Sequence, residues 1–243
     1  MSIKEQLKKN KVIFKIWNAI NEKRLLKIED EKTKGEYTFI NRGNDSDKLC
    51  IVLAGYKEFL WDNVFLRLKK YCPKDVDICI ISSGLYSEKL SEICEKNNWS
   101  YLSVKRNQVS LTQNIAINLH KNAKFIYKID EDIFITKDFF SQLMDTYNRV
   151  LEEKKYKPGF VAPLININGY CYRRLLEKLN LLEKFEKKFG NAWYDACTDQ
   201  KIIKDSEVAK YFWGDTEKIF RDIDELSARF NKEEFNYSIC PIR

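Results

Sequence analysis

The sequence predicts an α/β fold: a mostly parallel sheet flanked by helices, followed by a helical C-terminal elaboration. Three observations lead there. Short continuous apolar runs recur from residue 49 onward, each the length of a strand buried on both faces. Segments with helical spacing of apolar residues separate them. Turn residues such as Gly55, Pro73 and Ser82-Ser83-Gly84 punctuate the alternation. Strands alternating with helices of this length imply βαβ units, whose right-handed crossovers bring every strand's C-terminal end to one edge.

In chain order, residues 3–27 read as a basic helix with Ile13, Phe14, Ile16, Trp17, Ile20, Leu25 and Leu26 as its apolar positions. Such a helix ordinarily docks on its own domain, and a membrane-surface or partner-binding role is the rarer reading. Residues 35–48 are turn-rich and predict a short strand or hairpin and a loop. Leu49 to Ala54 is the first buried strand, 58–71 a helix stopped by Pro73, and Val76 to Ile81 the second strand. A helix over 87–97 is capped by Ser87, Trp99 to Val104 forms the third strand, and 110–122 forms another helix. Phe125 to Ile129 is the fourth strand and runs into Asp130-Glu131-Asp132. Thr136 is expected to cap a helix reaching about Glu153, and Phe160 to Ile165 to form one more strand. Residues 170–188, 198–211 and 215–230 look helical and highly charged. The expected organisation is an N-terminal helix and hairpin extension over 1–48, a core over 49–165 and a helical region over 166–243.

Composition supports a packed core, with 44% hydrophobic and 14% aromatic residues among 243. Lys plus Arg number 43 against 36 Asp plus Glu, a net charge of +7. That balance reads first as a solvated lysine-rich surface, and it also favours a phosphate-bearing ligand or peripheral contact with an anionic membrane. No nucleic-acid-binding motif accompanies the charge, so no nucleic-acid partner is expected. Seven scattered cysteines without a C-x-x-C pair argue against a disulfide framework or zinc site and suit a reducing cytoplasm. Residues 1–12 are polar and lysine-rich, so no signal peptide is expected, and no apolar run approaches the ~20 residues of a membrane span.

Asp130-Glu131-Asp132 is the main chemical signal. Two carboxylates at i and i+2 leaving a strand end can converge on one cation, and Mg2+ or Mn2+ takes oxygen ligands while bridging carboxylates to substrate phosphates. The alternative is an acidic turn. Competing motifs are absent: there is no P-loop, no G-x-G-x-x-G after the first strand and no G-x-S-x-G elbow. His120 is the only histidine, which excludes a histidine metal cluster and a serine triad.

The order Ile51 to Tyr56, Asp77 to Ser83, Asn107, Thr112-Gln113-Asn114, then Tyr127 to Asp132 resembles the nucleotide-binding half of GT-A glycosyltransferases. It looks like the bacterial enzymes that build surface polysaccharide. The resemblance spans about residues 49–140, and Asp-Glu-Asp fits that family's D-x-D motif. It implies a Rossmann-like GT-A core and transfer from a nucleotide-diphosphate sugar to a saccharide or lipid-linked acceptor, assisted by Mn2+ or Mg2+. It also implies a cytoplasmic or membrane-peripheral enzyme. Ala54 and Tyr56 would contact the base or ribose, and Ser82 and Ser83 would occupy the base-binding strand end. Asn107 and Asn114 would line the donor pocket with Gln113 nearby; Asp130 would face the ribose or sugar, and Asp130 and Asp132 would ligate the metal. Each has a plainer role open to it: Tyr56 in packing, Asn107 in a turn, Asn114 as a cap or facing solvent.

Asn166-Ile167-Asn168-Gly169-Tyr170 resembles the acceptor-side segment of some such enzymes. The family's catalytic base lies well past the D-x-D, and Asp195 and Asp199 are the candidates, with Asp215 another. No histidine follows His120, and the chain stops at Arg243 after the strand-like Tyr237 to Cys240, the pattern of a C-terminally truncated or short variant. A non-catalytic nucleotide-sugar-binding or scaffolding module of the same fold is the alternative. A sugar-nucleotide nucleotidyltransferase is disfavoured because Gly55-Tyr56-Lys57-Glu58 supplies no glycine-rich signature.

Overall fold

A computed structural model describes residues 11–33, 36–165, 171–192 and 204–232. The chain divides into two compact units, Met1–Phe134 and Ile135–Arg243. The first is α/β. It opens with helix α1 (Lys11–Thr33) and holds strands β1 (Tyr37–Ile40), β2 (Lys48–Leu53), β3 (Asp77–Ser83), β4 (Ser100–Val104) and β5 (Phe125–Asp130). Helices α2 (Glu58–Tyr71), α3 (Glu88–Asn97) and α4 (Val109–Leu119) connect the last four strands.

The sheet order is β1-β4-β3-β2-β5, with β2 to β5 parallel and β1 antiparallel to β4. Tyr37 to Ile40, read as part of an extension, is therefore an edge strand of the core sheet, paired with Val104 to Tyr101. All seven residues of β3 are buried, as its continuous apolar run predicts for a central strand. Edge strand β5 instead alternates, burying Tyr127 and Ile129 and exposing Ile126 and Lys128. Successive residues of the central strands serve opposite faces. Leu49, Ile51, Cys79, Ile81, Leu102 and Val104 pack with Leu111, Ile115 and Ala116 of α4.

Helix boundaries follow local chemistry. Ser87 caps α3 by accepting from Leu90 N at 3.2 Å, and Asn98 ends it at φ 55. Cys72 leaves the helical region just before Pro73, which ends α2. Helix α1 does not bury its apolar stripe: Ile13, Ile16, Trp17 and Ile20, at i, i+3, i+4 and i+7, are all exposed, as is Leu25. Among the described residues these five side chains do not show the docking expected of the helix on its own domain, and Phe14 is partly buried. Among the described residues, no helix is long and apolar enough to cross a membrane.

The described part of the second unit is helical. It holds α5 (Phe139–Glu152), α6 (Tyr172–Lys178), α7 (Leu182–Phe189), α8 (Ser206–Phe212) and α9 (Ile223–Phe230), with a 3-10 turn at Lys218–Phe220. Thr136 does not cap α5; Asp138 holds the N-cap position, and the Thr136 hydroxyl meets Ser227 Oγ at 3.1 Å. Residues 160–165 form no strand, and Phe160 and Leu164 stay exposed. The helix expected over 170–188 is broken where Asn180 takes positive φ, and of the one expected over 215–230 only Ile223–Phe230 is α-helical. Tyr172, Phe185, Tyr211, Phe212 and Phe220 fill the core of this unit.

Candidate functional site

Strand order sets where a ligand crevice lies. From β2 the chain steps outward through α2 to β3 and through α3 to β4, and then α4 returns it past β2 to β5. The direction reverses between β2 and β5, and open α/β sheets bind ligands beyond the carboxyl ends of strands at such a switch point. A cleft of about 200 Å³ opens there, lined by Leu53, Ala54, Tyr56, Lys57, Ser83, Val109, Asp130, Glu131 and Asp132. It is smaller than the ~300–1,000 Å³ usual for small-molecule pockets, so it fits part of a ligand rather than the whole.

Glu131 organises this edge. Its own N–H donates to Leu53 O at 2.9 Å, extending the β2–β5 ladder past the strand end. Its buried carboxylate accepts from Gly55 N at 2.9 Å, Tyr56 N at 3.1 Å and Trp61 Nε1 at 2.6 Å. Gly55, at φ +152, turns the chain so that consecutive N–H groups converge on one anion. The middle residue of the acidic triplet thus clamps the β2–α2 turn and the first turn of α2. It is committed to that task, which leaves the flanking aspartates for the cleft.

Asp130 and Asp132 both line the cleft, and each is paired with a lysine. Lys128 Nζ donates to Asp130 Oδ1 at 2.7 Å, and Lys57 Nζ donates to Asp132 Oδ2. The hydrogen bond to Asp132 raises the Lys57 pKa; partial burial opposes it, and the charges of Asp132, Glu131 and Asp130 reinforce it. Among the described residues, no group of three or more His, Cys, Asp or Glu is placed to hold a metal. The donor set is two half-exposed carboxylates, each already holding an ammonium group. That fits a Mg2+-type ion, which usually takes one or two carboxylates and completes its shell with water and substrate phosphate.

The other expected residues separate. Ala54 and Tyr56 line the cleft; Ala54 is buried, and Tyr56 is 62% exposed, its hydroxyl donating to Ser83 O at 2.8 Å. Ser82 is fully buried, donating to Leu85 O at 2.8 Å and lying 3.0 Å from the Tyr101 hydroxyl. Ser83 is buried too, accepting from Gln108 N at 2.8 Å and donating to Arg106 O at 3.2 Å. Its hydroxyl fastens the β4–α4 loop. Asn107 and Asn114 are exposed and Gln113 is partly exposed, and none lines the cleft, whereas Val109 of α4 does. Asp215 is exposed in the second unit. Asp195, Asp199, Asn166 to Tyr170 and Tyr237 to Cys240 lie outside the described residues.

Sequence reasoning missed Lys57 and the clamp made by Glu131 and Trp61. The available signal for Lys57 was a cation just past the first strand end, facing a strand that ends in three acids. Comparison with protein-family models finds no match, and comparison with curated proteins finds none.

Proposed function

We infer that this chain is a metal-assisted glycosyltransferase with a Rossmann-like GT-A core, taking a sugar from a nucleotide-diphosphate sugar to a saccharide or lipid-linked acceptor. One observation carries the reading: Asp130 and Asp132 meet Ala54 and Tyr56 in a cleft at the β2/β5 switch point. The exposed Tyr56 ring, held by its bond to Ser83 O, offers a flat face to a base or ribose. Asp130 and Asp132 would hold the divalent ion, which when bound supplies positive charge to the departing diphosphate. Glu131 keeps Tyr56 and Lys57 at fixed distance from the two aspartates.

The test is calorimetric titration of UDP, GDP and CDP in Mn2+. One nucleotide should bind, and Asp130→Ala or Asp132→Ala should weaken it at least tenfold while the circular dichroism spectrum stays unchanged. Equal binding by both variants would sink the metal assignment. Turnover is a separate question, answered by donor hydrolysis or transfer with the purified chain. Binding without either would make the chain a nucleotide-sugar-binding module.

A further inference from the structure

Lys57 is an unusual neighbour for a site read as holding a divalent ion. Its ammonium occupies Asp132 Oδ2, on the cleft side of the acidic triplet. Lys128 does the same to Asp130 from strand β5. Three carboxyl groups therefore face two ammonium groups at this strand edge. The two lysines are not equivalent. Lys57 lines the cleft, and Lys128 does not.

Resting on the donor-site reading above, we propose that Lys57 is the site's exchangeable cation: it neutralises Asp132 in the empty cleft, yields it to the divalent ion, and then binds the donor's diphosphate. Three features of the structure carry this. A divalent ion held by Asp132 would share that carboxylate with the ammonium on Oδ2, and like charges at such close quarters repel. The Lys57 side chain is 46% exposed on a flexible four-carbon stem, so it can leave without unpacking the core. Its backbone cannot follow, because Glu131 clamps Gly55 and Tyr56 just before it. The ammonium therefore sweeps a short arc about a fixed Cα at the cleft wall. A lysine acts as a point charge toward phosphate, and a diphosphate brought by the divalent ion would lie within that arc.

The exchange predicts opposite signs for the two ligands, which a folding defect does not produce. Mn2+ alone is titrated with electron paramagnetic resonance reading the free ion, and Mn2+-pyrophosphate is titrated calorimetrically in excess Mn2+. Lys57→Met should bind Mn2+ alone about tenfold more tightly than the native chain, because its competitor is gone. It should bind Mn2+-pyrophosphate about tenfold more weakly, because a charge-assisted contact is lost. Lys57→Arg keeps the charge and should hold pyrophosphate within about threefold of native. Unchanged Mn2+ affinity in Lys57→Met, unchanged pyrophosphate affinity, or a Lys57→Arg that behaves like Lys57→Met would each overturn the proposal. If neither the native chain nor Lys57→Met binds Mn2+, and Asp132→Asn changes nothing, the donor-site reading itself fails and the exchange fails with it.

Discussion

Replacing Glu131 by alanine should cost far more than a substitution at a turn usually does. The carboxylate accepts from three N–H groups: Gly55 N, Tyr56 N and Trp61 Nε1. Truncation strands all three, but not equally. Trp61 is 2% exposed, so its indole N–H finds no water and bears the full penalty of a buried unpaired donor, about 1–3 kcal/mol. Gly55 N is half-covered and bears part of that penalty. Tyr56 N lies on an exposed residue and can turn to solvent. The sum is about 2–5 kcal/mol, a large share of the ~5–15 kcal/mol that holds a domain together.

Urea unfolding followed by tryptophan fluorescence reads this directly, since Trp61 is itself one of the partners. The midpoint should fall with little change in slope, because the same surface is exposed on unfolding. Glu131→Gln should lie between the two, since one amide oxygen still accepts while its NH2 group faces donors. Glu131→Ala within 0.5 kcal/mol of native would refute the clamp.

Tyr211 and Gly84 give two further predictions. Burial pushes the Tyr211 phenol up to about 12, and its hydroxyl has no hydrogen-bond partner among the described residues. The unfolded chain ionises that phenol near ~10, so stability should hold below pH 10 and decline as pH rises from 10 to about 12. Tyr211→Phe should abolish that part of the alkaline loss and raise stability at neutral pH by about 1 kcal/mol, as seen by thermal melts across pH; a less stable variant would show that the hydroxyl has a partner. Gly84 sits at φ +83, and a Cβ there would lie 2.6 Å from Asn107 Cβ and 3.0 Å from its Cα. Gly84→Ala should therefore cost at least ~2 kcal/mol in urea and displace the β4–α4 loop, and a neutral substitution would contradict the close approach.

The central strands were readable because their signal is local. Ile51-Val52-Leu53 and Ile78 to Ile81 are apolar without interruption, and only a strand buried on both faces needs that. Tyr37 to Ile40 was not recognisable as part of the sheet, because four residues carry little periodicity and their partner lies more than sixty residues on. Phe160 to Ile165 erred the other way: the run is apolar enough for a strand, yet Phe160 and Leu164 face solvent. At the site, Asp130 and Asp132 could be picked out by charge and spacing at a strand end. Ser82 and Ser83 could be placed at the right strand end but not oriented, since their bonds to Tyr101, Leu85, Arg106 and Gln108 depend on the loops above them.

Glu131 shows why the remainder was out of reach. In a D-x-D pattern the middle position is written as free, and by local criteria it is free, since an acidic residue suits a turn. Its three donors belong to a turn and a helix 70 to 76 residues earlier in the chain. Two of them are backbone N–H groups, which every residue but proline possesses, so no residue type at 55 or 56 announces the contact. Only Trp61 carries a distinctive donor, and at the start of an amphipathic helix it reads as a core residue, which it also is. The flanking aspartates stand out in the sequence because their side-chain charge at a strand end is itself the signal. The clamp that aims Tyr56 and Lys57 at them uses backbone, and backbone partnerships become visible only when the strands are paired. The position that a motif leaves open is therefore the one on which the geometry of its two specified neighbours depends.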